Sequence, residues 1–155
     1  GYKEEEIMAS IYAKSRDNAR TPMQWDDGEN AGFTAAAPWI RVNPNYKEIN
    51  AAAQTAAEDS VFGCYRKLIR LRKEYPVFVD GEFRMLLKED ENIFAYNRTD
   101  SGSQLLVVCN FYDKTIDISL KELDDAGELL VCSYKDAGQT TVLRPYEARM
   151  YWKKS

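Results

Sequence analysis

The residues best equipped for chemistry lie in one stretch, Ser15-Arg16-Asp17-Asn18-Ala19-Arg20-Thr21-Pro22-Met23-Gln24-Trp25. Two guanidiniums sit beside a carboxylate, two side-chain amides and an indole. Arg, Asp and Asn can hydrogen-bond the hydroxyls of a neutral, polar ligand. Trp25, and beyond it Phe33, Trp39 and Tyr46, offer flat faces on which an apolar C–H surface can stack. That mixture suits a hydroxyl-rich molecule such as a sugar. The same residues suit a buried salt-bridge corner, and the pattern leaves both open.

Composition removes several other chemistries. The chain has 155 residues and no histidine, so neither a Ser-His-Asp nor a Cys-His arrangement exists within it. Catalysis would have to rest on carboxylates, Lys or Tyr. Its three cysteines, Cys64, Cys109 and Cys132, are odd in number and widely spaced, with no Cys-x-x-Cys. Each lies in an apolar run and is expected as a buried free thiol, which fits a reducing, cytoplasmic compartment. Asp26-Asp27-Gly28-Glu29-Asn30 faintly resembles a calcium loop but lacks the EF-hand ligand spacing and distal Glu, so no metal and no cofactor are expected. The net charge of −4 comes from interleaved signs with no basic patch, which argues against nucleic acid. No apolar run approaches the ~20 residues of a membrane span. No signal peptide is visible, though the chain opens Gly1-Tyr2-Lys3 without Met, so this says little of a parent protein. Asn97-Arg98-Thr99 matches a glycosylation sequon, a three-residue pattern of little specificity.

The elements that must position these residues fall into two textures. Lys3 to about Tyr12 reads as a short helix with an acidic first turn and Ile7, Met8 and Ile11 on one face. Residues 13–57 have no sustained period but are rich in aromatics. They are expected to form a large ordered excursion, either one wall of a binding site or a packing arm. Asp59 or Ser60 can cap a helix running to about Tyr75, with Val61, Phe62, Tyr65, Leu68, Ile69 and Leu71 on its apolar face and Pro76 as its stop. After Pro76 the period becomes two. Strands are expected at 82–87, 92–98, 104–111, 114–120, 128–134, 140–143 and 148–153, with turns at 88–91, 99–103, 124–127 and 136–138. The run at 104–111 is nearly all apolar and should be central. Phe94, Tyr96, Phe111 and Trp152 lie in strand patterns that point at a core. This spacing predicts an antiparallel β-sandwich or Greek key. The expected division is 1–78 and 79–155, and two helices and a loop cannot enclose a core alone.

With those residues in view, the chain resembles α-glucosidases of the α-amylase superfamily, in the branch with oligo-1,6-glucosidase, dextran glucosidase and trehalose-6-phosphate hydrolase. The likeness runs through residues 15–26, Ala31-Gly32-Phe33-Thr34, Pro38-Trp39-Ile40, Val42-Asn43-Pro44-Asn45-Tyr46, the helix from Asp59, and Leu143-Arg144-Pro145-Tyr146-Glu147-Ala148. It implies an α+β chain: the tail of a (β/α)8 barrel, comprising the loop after strand 8 and helix 8, followed by an all-β C-terminal domain. It implies hydrolysis of terminal α-glucosidic bonds in carbohydrate catabolism, with retention, by an Asp nucleophile and a Glu acid/base. The motifs that carry those groups, Gly-x-Arg-x-Asp and Asn-His-Asp, do not occur, so no catalytic residue is expected in this chain and alone it should be inactive. The resemblance further implies that an Arg of this loop helps close the blind end of the glucose pocket. Motif position gives that role to Arg16, with Arg20 the second choice or a structural residue. The partners implied are an oligosaccharide substrate and the remaining barrel. The alternatives are a trehalose-6-phosphate hydrolase, or a β module that binds carbohydrate or is purely structural.

Overall fold

The computed structural model describes residues 2–136 and 138–154. It forms two compact units, Gly1–Leu68 and Ile69–Ser155.

The first unit begins with helix α1, Glu4–Lys14. Glu4, Glu5 and Glu6 occupy its first turn and Lys14 its last, the polarity that a helix dipole favours. The Glu6 carboxylate also accepts the Lys3 backbone N–H at 3.1 Å. No residue of α1 is buried. The excursion that follows is a chain of tight turns. Short 3-10 segments occupy Arg16–Ala19, Glu29–Gly32 and Pro44–Lys47. Helix α2, Ala51–Ala56, lies where the sequence predicted only loop. Asn50 starts it by accepting the Ala53 N–H at 2.8 Å, while its own amide donates to Tyr46 O at 2.9 Å. The run Ala51-Ala52-Ala53 supplies propensity without a period, which is why periodicity missed it.

Helix α3 spans Val61–Glu74, the length that the apolar spacing predicts. Pro76 ends it but also opens α4, Val77–Asp80, because proline's fixed φ is already helical at an N-terminus.

The second unit carries a five-stranded antiparallel sheet in the order β1-β2-β3-β7-β5. Its strands are β1 Glu82–Leu86, β2 Ile93–Thr99, β3 Ser103–Asn110, β5 Glu128–Cys132 and β7 Ala148–Lys154. β4, Ile116–Asp117, pairs with β6, Val142–Leu143, in a second small sheet. β3 is central, as its apolar composition requires, pairing with β2 on one side and β7 on the other. One face of the large sheet meets the main core of Leu86, Ile93, Ala95, Leu106, Val108 and Leu143, with Ile118 and Leu123 packed in. The other face meets α4 through Val77, Leu105 and Val107, with Tyr75, Met150 and Trp152 around them. Arg98 donates to Val79 O at 2.9 Å and Gly81 O at 2.8 Å, answering the open carbonyls at the end of α4. Gly127, at φ +83°, lies so close to Trp152 O that a Cβ there would collide with backbone.

Two expectations fail. The thiols are not all buried: Cys64 is exposed on α3, and Cys109 and Cys132 are half-buried. Nor do all the strand aromatics reach a core, since Phe111 is 67 % exposed and Phe94 36 %. Phe111 lies just past the last residue of β3, and Phe94 points away from the main core. Alternation fixes which residues share a face, but it does not say whether that face is covered. The expected turn at 136–138 includes Ala137, outside the described residues. Asn97 of the sequon is buried within β2, so its amide faces no solvent in the folded chain.

Candidate functional site

Arg16 opens the 3-10 segment Arg16–Ala19. Ser15 caps it, its hydroxyl accepting the Asp17 N–H at 3.3 Å. Asn18 donates its amide to Tyr12 O, so one polar residue of the stretch is spent on local structure. Arg16, Asp17 and Arg20 are exposed. Among the described residues the ion pairs all involve residues of the second unit, and neither arginine joins one. Within this chain, among the described residues, the stretch forms no buried salt-bridge corner. It presents two free guanidiniums on a hydrogen-bonded turn.

Gln24 and Trp25 fasten that turn to the rest of the excursion. Gln24 donates its side-chain amide to Asn45 Oδ1 at 3.0 Å and to Ile49 O, and its backbone carbonyl accepts Ala51 N–H at 2.8 Å. Trp25 O accepts Ala52 N–H at 2.9 Å. Gln24, which by type belongs with the ligand-binding amides, is thus a clamp whose hydrogen bonds stay inside the fold.

The turn predicted at 26–30 is held from within. Asp26 Oδ1 accepts Gly28 N–H at 2.8 Å, and Ala31 O accepts the backbone N–H groups of Trp25 and Asp26. Asn30, Ala31 and Gly32 all adopt positive φ. Ala31 is buried in that conformation, and Gly32 has the Asp26 carboxylate where a Cβ would stand. Asn30 tolerates it because its amide bonds Thr34 O and Ala36 O, at 3.1 and 3.2 Å. Among the described residues no group of three or more acidic or sulfur side chains is placed to hold a metal.

Two clefts open beside this turn. One, of about 240 Å³, is lined by Arg20, Phe33 and Trp39 among others. The second, of about 410 Å³, is lined by Asn30, Trp39, Arg41 and Tyr46. Trp39 borders both and is 99 % exposed. The structure therefore brings Arg20 together with aromatic residues, while Arg16 lines neither cleft.

The most perturbed charges lie elsewhere, around Glu147 in the second unit. Burial pushes its carboxyl up, but hydrogen bonds from Arg144 and Arg149 outweigh this and hold it far below the usual carboxylate range. Glu147 is fully buried and accepts Arg149 Nε at 2.8 Å, Arg144 Nε at 3.0 Å and Arg144 N at 2.8 Å. Arg149, also buried, donates to Gln139 O and Val142 O. Every group is answered inside the protein, so this knot is structural. The sequence showed only Arg144, Glu147 and Arg149 at close spacing, without the burial that binds them. Among the described residues no helix is long and apolar enough to cross a membrane.

With this geometry in hand, comparison with known proteins places the chain. The family model described as alpha amylase, catalytic domain, matches residues 1–81. An oligo-1,6-glucosidase of Halalkalibacterium halodurans is 49% identical over 97% of this chain, which spans 28% of that relative. The crystal structure of a Bacillus licheniformis trehalose-6-phosphate hydrolase, mutant R201Q, superposes with TM-score 0.88 at 40% identity, covering 98% of this chain and 29% of that one. A trehalulose synthase from Pseudomonas mesoacidophila gives TM-score 0.86 at 38% identity, over 98% of this chain and 28% of its own. The chain thus spans little more than a quarter of the proteins it resembles.

Proposed function

The chain belongs to the alpha-amylase family, and from that premise we propose that it is the C-terminal part of a retaining glycoside hydrolase that cleaves terminal α-glucosidic bonds, with α-1,6-linked oligosaccharides as substrate. The observation that carries this reading is the likeness to an oligo-1,6-glucosidase across 97% of the chain. In this reading residues 1–78 complete the catalytic barrel and residues 79–155 form the C-terminal β domain. The first unit buries only Pro22, Ala31, Val42 and Asn50 among its described residues and exposes Ile11, Met23, Trp25, Ile49, Phe62 and Tyr65. Such a surface is suited to a large apolar partner, which the rest of the barrel provides.

Arg16 is the residue assigned to the terminal glucose, and Arg20 the second candidate. A guanidinium can pair a carboxylate and still donate to a sugar hydroxyl, and both arginines have their donors free. The catalytic carboxylates would come from the rest of the enzyme. The three free thiols support a cytoplasmic location.

The test is hydrolysis of isomaltose by the full-length enzyme and by this chain alone. The full-length enzyme turns it over, this chain does not, and Arg16→Ala lowers kcat/KM about 10- to 100-fold, the worth of a hydrogen bond from a charged donor. Turnover by the isolated chain would refute the reading. Preference of the full-length enzyme for trehalose 6-phosphate would move the substrate to the other assignment, which the likeness to the Bacillus licheniformis enzyme supports.

A carbohydrate-binding role for the β domain has one observation in its favour. Phe83, Tyr96, Phe94 and Phe111 run in a chain with ring centroids 5.2, 5.6 and 6.3 Å apart, and Phe83, Phe94 and Phe111 are exposed. The rings are tilted by 37–59° to one another and do not make a flat platform. Their strand neighbours on that face are Met85, Val107, Cys109 and Arg98, and Arg98 already donates to Val79 O and Gly81 O, so little hydrogen bonding is left to orient a sugar.

A further inference from the structure

We propose that Gln24 is a positioning residue: it touches no substrate and acts by holding Arg16 where the terminal glucose needs it. The inference rests on the glucosidase reading above, in which Arg16 meets that glucose, and adds a residue that works through it.

The side-chain amide of Gln24 donates to Asn45 Oδ1 and to Ile49 O, so both of its N–H donors are spent inside the fold. Its backbone carbonyl and that of Trp25 accept the N–H groups of Ala51 and Ala52, at 2.8 and 2.9 Å. Asn50 Oδ1 accepts the Ala53 N–H. These three acceptors answer the donors at the start of α2 that have no partner within the helix. A helix of six residues is too short to stand alone, so α2 and the segment at Gln24 hold each other in place.

The clamp reaches Arg16 through a short, stiff length of chain. Pro22, which is buried, fixes its own φ between Gln24 and Arg20. The Arg20 N–H then donates to Asp17 O at 3.0 Å and the Asn18 N–H to Ser15 O at 3.2 Å, so residues 15–20 move as one turn. The other tether of that turn is the Asn18 amide on Tyr12 O, and α1, which carries Tyr12, buries no residue within this chain. Every bond of the Gln24 clamp joins atoms of this chain, whatever covers its outer surface in the full-length enzyme. Without the amide, Asn45 Oδ1 and Ile49 O lose their donor and the segment is free to shift. A guanidinium displaced by about 1 Å no longer meets its sugar hydroxyl in line.

The experiment is a double-mutant cycle in the full-length enzyme, assayed on isomaltose. Gln24→Met keeps the length of the side chain and removes its donors. It is expected to lower kcat/KM about tenfold, mainly through KM, when Arg16 is present, and to change it by less than about twofold in the Arg16→Ala background. Asn45→Ala removes one acceptor from the opposite side of the clamp and leaves Gln24 in place. It should lower kcat/KM about threefold, again only with Arg16 present, and it carries the test alone if Gln24→Met does not fold. Equal falls in the two backgrounds would mean that Gln24 merely supports the fold, and they overturn the proposal. So does an unchanged kcat/KM in the variants, or in Arg16→Ala itself. If the unaltered enzyme does not hydrolyse isomaltose, the glucosidase reading fails and takes the proposal with it, an outcome visible before any variant is made.

Discussion

Arg16 and Arg144 are the same residue type in opposite circumstances. Arg16 stands exposed with no ion pair among the described residues, whereas Arg144 joins Glu147 and Asp136 at 2.9 and 2.6 Å. The hydrogen bonds that Arg144 donates to Glu147 and then to Asp136 push its guanidinium's pKa up. Removing one partner of a buried pair leaves a charge with neither water nor counter-ion. Glu147→Ala is therefore expected to cost about 3–5 kcal/mol of stability, read from urea unfolding. The pH dependence follows from the same site. Glu147's carboxyl is depressed in the folded chain, so the unfolded chain takes up its proton first as pH falls. Its contribution is complete at neutral pH and drains away below the ordinary carboxylate range, near pH 4.5. Unfolding midpoints at pH 7 and pH 3 should differ more for the native chain than for Glu147→Gln, and equal slopes would deny Glu147 the role.

At the scale of elements, the first unit is organised by side chains that cap and clamp. Asn50 begins α2 and bonds Tyr46 O, while Gln24 ties the arginine turn to Asn45 and Ile49. Asn50 is buried, so its loss leaves unmatched groups at the start of α2. Asn50→Ala should cost about 1–2 kcal/mol. On the proposed glucosidase reading it should also weaken isomaltose binding by the full-length protein, because the cap lies one bonded step from the loop that carries Arg16. Unchanged KM together with unchanged stability would contradict this. Sequence pattern found α1, α3 and most strands, because each repeats a spacing that only one geometry satisfies. It missed α2 and α4, which at six and four residues are too short for a period to develop.

At the scale of the molecule, the two units differ in how much they bury. The second has two hydrophobic clusters, one on each face of its large sheet. The first buries none of α1, and in α3 only Leu71 is buried, itself a residue of the second unit. Hydrogen exchange on the isolated chain should therefore protect Leu106 and Val108 strongly and Ile7 and Ile11 hardly at all, with α1 gaining protection in the full-length enzyme. Equal protection of α1 and β3 in the isolated chain would show that α1 finds a partner within it.

The sequence alone determined the family, the two textures, the centrality of β3 and the absence of histidine chemistry. Each depends on residue order or on a short-range spacing, and neither changes when the chain folds. Burial was decided only by tertiary structure. The stretch from Ser15 to Trp25 read equally as a salt-bridge corner or as an open polar surface, because both use the same side chains. Within this chain the surface is open: Asn18 and Gln24 are spent on internal hydrogen bonds, and Arg16 and Arg20 have no partners among the described residues. It set Trp39 in full exposure between two clefts, drew Glu147 wholly inside, and left Phe111 outside the core that alternation promised. Long-range packing sets these outcomes, and no local period encodes which faces of a chain will meet.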